Sequence, residues 1–133
     1  MTEFFDKLRS LEQEIAAEKG PFQFYALILR EDSPLKWDLV VAAPWLDEDE
    51  RAGMKYLAAK VTKVLTKKEV VRMLAGIVIV ERDNPGLKPI QKTVAVEHGN
   101  VELRDCELFR MDVERAIIIT SIRPGARHAG KAG

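Results

Sequence analysis

Phe22-Gln23-Phe24-Tyr25-Ala26-Leu27-Ile28-Leu29-Arg30, then Glu31-Asp32-Ser33-Pro34, then Trp37-Asp38-Leu39-Val40-Val41-Ala42-Ala43: this stretch decides the fold class. Both alternating faces of 22–30 are mostly apolar, the mark of a strand covered on two sides. The polar tetrad ending in proline is turn chemistry. Two strands joined by so short a connection pair antiparallel as a hairpin.

Upstream, Phe4, Phe5, Leu8, Leu11 and Ile15 fall at helical spacing. They make an amphipathic helix that Gly20-Pro21 stops. Glu12, Glu14 and Glu18 are read as lying away from that stripe. Downstream, Pro44-Trp45-Leu46 leaves the sheet. Asp47 with Glu50 reads as a capping box for a long helix. Met54, Leu57, Ala58, Val61, Val64 and Leu65 are its expected buried stripe. Thr66-Lys67-Lys68-Glu69 repeats the capping pattern and opens a short helix ending near Gly76.

A third strand follows at Ile77–Glu81, closed by the turn residues Asp83-Asn84-Pro85-Gly86. Pro89 argues against a central strand in 87–92. Thr93–His98 and Val101–Arg104 are read as a hairpin across Gly99-Asn100, pairing Val96 with Leu103. The apolar alternation breaks at Asp105, which predicts a bulge or bend there. Ala116–Ile122 is the last strand.

The expected fold is α+β: a mainly antiparallel sheet of about five or six strands, with two main helices and one short helix packed on it. Residues 1–123 are expected to form a single domain, and 124–133 a disordered C-terminal tail. The order of elements resembles the roadblock/longin/profilin-like class, which opens helix-strand-strand-helix and follows with strands. That resemblance is one of order alone and implies a fold, not an activity.

Charge narrows the function classes. Lysine plus arginine and aspartate plus glutamate number 21 each. With zero net charge the chain lacks the basic excess of a protein that grips many phosphates, so nucleic acid is not the expected partner. Neutrality also removes a long-range barrier to self-association. The single cysteine, Cys106, excludes an internal disulfide and a multi-cysteine zinc site. Its flanking Asp105 and Glu107 disfavour a thiolate. A basic leader and a long apolar run are both missing from the sequence, which gives a cytoplasmic, non-membrane expectation.

No catalytic set, cofactor motif or metal site emerges. Asp38, Glu81 and Asp83 are a conceivable magnesium set, but Asp38 begins its strand and Glu81 ends its own. As parallel neighbours they would sit at opposite ends, and on opposite edges farther apart still; only an antiparallel neighbour arrangement brings them close. His98 and Glu97, adjacent on a strand, are expected to diverge. Lys60, Lys63 and Lys67 form a candidate basic patch, one narrow sector if the long helix continues that far; the simpler reading is a solvated face complementing the helix dipole. Trp37, Asp38 and Trp45 are the candidate ligand or interface residues. Trp37 is expected at the exposed hairpin, and Trp45 in the core or at an interface.

By elimination the leading expectation is a protein–protein interaction or regulatory domain that forms a homodimer. Strands apolar on both faces need cover that two main helices cannot supply alone. The second class is a small-molecule-binding protein or an enzyme with an atypical site. The third is a weak nucleic-acid-binding module.

Overall fold

A computed structural model of the chain describes residues 2–123; the tail expected at 124–133 lies outside them. In order the elements are α1 (Thr2–Lys19), β1 (Phe24–Arg30), β2 (Trp37–Ala42), α2 (Pro44–Glu48), α3 (Glu50–Val64), α4 (Lys67–Met73), β3 (Leu74–Ile79), α5 (Leu87–Thr93), β4 (Val101–Leu108) and β5 (Met111–Ser121). The strands form one sheet in the order β3-β2-β1-β5-β4. Every neighbouring pair is antiparallel except β2 and β3. The fold is α+β with a mainly antiparallel sheet, as the hairpin at 22–43 implies. That hairpin pairs Phe24 with Ala42 and Ile28 with Asp38.

β1 is buried on both faces because the sheet is covered on both. On the first face, Phe4, Leu8, Leu11 and Ile15 of α1 and Leu57 and Val61 of α3 pack on Tyr25, Leu27, Leu39, Val41 and Ile117. On the second, Leu87, Ile90 and Val94 cover Phe24, Ala26, Ile28, Val40 and Ile118. Each fully enclosed leucine or isoleucine contributes about 1.5–3 kcal/mol relative to exposure. α1 ends at Gly20, whose φ of 111° is the left-handed cap that a side chain resists, and Gly20 N donates to Ala16 O at 3.0 Å.

Several local readings need correction. Asp49, not Asp47, caps α3, accepting from Ala52 N at 3.1 Å. Pro44 starts a separate helix, so Asp47 lies inside it and instead accepts from Arg82 Nε at 2.7 Å. Ala58 of the expected stripe is exposed, while Gly53 is buried. The box at Thr66 and Glu69 forms in both directions, at 3.1 and 2.8 Å. α4 then runs straight into β3, which begins at Leu74 rather than Ile77.

Residues 87–93 are a helix. Pro89 falls in its first turn, where a missing N–H removes no helical bond. The hairpin across Gly99-Asn100 does not form: Val96 pairs with Ser121, and Val101 with Ile118. Among the described residues no helix is long and apolar enough to cross a membrane.

Candidate functional site

The two long helices occupy the first face, so the second is covered by the seven-residue α5 and by the tip of the β4–β5 hairpin. A bend in the hairpin makes this possible. The pairing of β1 with β5 slips between Leu29–Arg115 and Arg30–Val113. β4 stays in register with β5 on both sides of this point, Leu103 opposite Ala116 and Cys106 opposite Val113. Both strands therefore turn together, β4 doing so at Asp105, whose φ is 48°. This is the irregularity that the broken alternation at Asp105 predicts. It brings Cys106 and Leu108 onto the face that Val101 and Leu103 already share.

Beyond the bend the hairpin doubles back. Arg30 pairs with Val113 at one end of β1, yet the ring of Phe109 lies 6.0 Å from that of Phe24 at the other end. A strand of this length spans roughly 20 Å, so the tip arches over the second face as a flap. Phe109 and Arg110 have φ of 53° and 64°, the pair of positive angles that a two-residue hairpin turn needs. Each costs about 1–2 kcal/mol in a residue other than glycine. The Phe109 ring holds the tip down: it presses so closely on Gly86 that a Cβ there would come within 2.6 Å of it.

Between sheet, α5 and flap lies a cleft of about 910 Å³. Val40, Val80, Ile90, Leu108 and Met111 give it an apolar lining, and Arg30 and Asp38 sit in it as the charged pair. Arg30 Nε is 3.1 Å from Asp38 Oδ2 and 3.7 Å from Asp32 Oδ1. That nitrogen is shut from solvent, but neither contact has hydrogen-bond geometry. Burial pushes the Asp38 carboxyl above its ordinary value; Arg30 pulls it down, less strongly, and Asp32 adds a small push upward. A carboxyl raised on folding contributes stability below its unfolded pKa and loses it as pH rises through the folded one. Asp38→Asn is therefore expected to be at least as stable as the parent at neutral pH, with the parent gaining on it towards acid. Urea midpoints at both pH values check this, and a clear loss in the variant at neutral pH would contradict it.

Of the candidate ligand or interface residues, only Asp38 reaches this cleft. Trp37 is not exposed: 3% of it is accessible. It faces the other way, with Phe5 at 5.0 Å and the Arg115 guanidinium 5.4 Å over its ring. Trp45 packs part-buried between Phe22 and Tyr56 on the first face and donates to Gly20 O at 3.3 Å. Lys60 is engaged with Glu14 and Glu18, at 3.0 Å each, and the Glu18 bond chiefly holds its ammonium above the ordinary value. Lys63 is exposed, and Lys67 lies beyond a helix break at Leu65, so the three lysines do not share one sector of one helix. Asp38 and Glu81 lie at opposite ends of the parallel pair β2–β3. Burial first and Asp105 second push the Cys106 thiol up. No three His, Cys, Asp or Glu residues group to hold a metal among the described residues.

The sequence reading misplaced one further polar centre. Glu12 is fully buried. Its Oε2 accepts from Thr120 Oγ1 at 2.8 Å, and its Oε1 is 2.6 Å from His98 Nδ1. Thr120 Oγ1 in turn accepts from His98 N at 3.2 Å. His98 is not on a strand; its φ of 55° turns the ring towards Glu12 while leaving Nε2 3.7 Å from Glu97. The cluster ties α1 to the segment before β4.

No family model, curated protein or solved structure matches the chain.

Proposed function

We propose that the chain is a protein-interaction domain that self-associates through the free edge of β3. The observation that carries this reading is the contrast between the two edges of the sheet. From Leu74 to Val80 the β3 edge has no charged residue, and Val78 is 44% exposed. The opposite edge, β4, carries Glu102, Arg104, Asp105 and Glu107, the charges that keep an edge from pairing.

Backbone geometry supports the same reading. Val80 N donates to Val41 O at 2.9 Å. Alternation along the strand then turns the amides and carbonyls of Ala75, Ile77 and Ile79 away from β2. A second β3 running antiparallel across a twofold axis satisfies these groups and joins two five-stranded sheets into one. Val71, on the helix that runs directly into β3, is 65% exposed. A stable pair needs about 1,200–2,000 Å² of total buried area.

Val78→Lys places a charge on that edge and leaves the core intact. It is expected to be monomeric by light scattering at concentrations where the parent chain associates, with unchanged circular dichroism. A folded V78K chain that associates as strongly as the parent overturns the reading.

A further inference from the structure

We propose that the cleft beneath the flap binds a neutral amphiphile, an apolar body with one uncharged head group that carries a hydrogen-bond donor beside an acceptor, as a carboxamide does. Val78 of the edge strand and Val80 just beyond it form part of its floor, but its head-group pair, Arg30 and Asp38, lies on β1 and β2, and the proposal does not need the edge to pair. Its volume, about 910 Å³, lies in the range of small-molecule sites, and its lining follows their pattern of apolar walls with a few placed polar groups. The walls come from three segments: the β2–β3 floor, α5, and a flap whose tip is held in a left-handed conformation. Strain of that kind, where the surroundings maintain it, is characteristic of ligand clamps.

The head-group chemistry follows from Arg30 and Asp38. They bring a guanidinium donor and a carboxylate acceptor to within 3.1 Å of each other. Nε of Arg30 is enclosed, but the Arg30 side chain is 33% exposed and that of Asp38 13%, so a ligand meets the outer atoms of both. A carboxylate ligand approaching Arg30 meets Asp38, and an ammonium approaching Asp38 meets Arg30. Either also leaves water for an apolar cleft, at a desolvation cost that this neutral pair does not offset. A carboxamide gives its oxygen to Arg30 and its N–H to Asp38 and brings no charge. The rim repeats the balance, with Glu107 and Arg110 one of each sign.

Decanamide, decanoate and decylamine share one tail and differ in the head. Each is titrated into the full chain while the methyl resonances of Leu103, Leu108 and Met111 are followed. Decanamide is expected to saturate with a Kd below about 1 mM, and the two charged analogues to bind at least ~10-fold more weakly. Asp38→Leu and, separately, Arg30→Met are expected to erase the preference for the amide while leaving the tail's weaker binding. No saturable shift with decanamide overturns the proposal. So does decanoate or decylamine binding as tightly as the amide, or a preference that survives both substitutions in folded protein.

Discussion

Glu12→Ala is expected to lower the stability of the fold by about 2–4 kcal/mol. Glu12 is fully enclosed, and both of its oxygens are used, one by Thr120 and one by His98. Truncation leaves the buried Thr120 hydroxyl without its acceptor and opens a void beneath α1. It also frees His98 from the helix. Leaving a buried polar group without its hydrogen-bond partner costs about 1–3 kcal/mol, more for a charged group, when it stays dry. His98 is 30% exposed, so water recovers part of that cost. Glu12→Gln keeps one acceptor and is expected to lose less. Glu14→Ala, which removes only an exposed contact with Lys60, is expected to change little. Urea unfolding with an unchanged slope gives the comparison. An E12A chain within about 0.5 kcal/mol of the parent would show that the cluster is not the tie described.

Proline at successive positions of β3 is expected to give opposite results. The amide of Ile77 faces away from β2, so Ile77→Pro removes an outward donor, the placement at which an edge strand tolerates proline, together with the packing of one half-buried side chain on the first face. That variant is expected to fold and to lose self-association altogether. The amide of Val78 faces β2, so Val78→Pro removes a ladder bond and leaves a carbonyl of β2 unpaired. Its expected cost is about 1–3 kcal/mol or more, read as a lowered unfolding midpoint. Circular dichroism and sedimentation on the two variants check both halves. A folded I77P chain that still associates places the interface elsewhere.

The legible parts of the fold were those with local signals. The hairpin at 22–43 was carried by two apolar runs around a polar tetrad. α1 was carried by the spacing of Phe4, Leu8, Leu11 and Ile15, and α4 by Thr66 and Glu69. The broken alternation at Asp105 located the bend that forms the flap. α5 was missed because Pro89 was weighed only against a strand, although Leu87, Ile90 and Val94 already stand at helical spacing. The pairing of 93–104 was misread because Gly99-Asn100 resembles a tight turn. The competing partner of Val96, Ser121, is distant in sequence.

Glu12 shows both kinds of limit. At helical spacing it falls between Leu8 and Phe5, inside the apolar stripe, and that signal was available. Thr120, which makes its burial tolerable, is 108 residues away, and nothing local announces it. The cleft is harder still, since three separated segments build it. The sequence singles out Asp38, but in it Arg30 reads as a strand end and Trp37 as an exposed neighbour of Asp38. The bulk of Trp37 is instead absorbed by Phe5 across the first face.

Self-association through β3 is tested most directly by sedimentation equilibrium of the unmodified chain over a dilution series. The predicted result is a mass that rises from 15.0 kDa towards twice that value as concentration increases. A single species of 15.0 kDa persisting at tens of micromolar contradicts it.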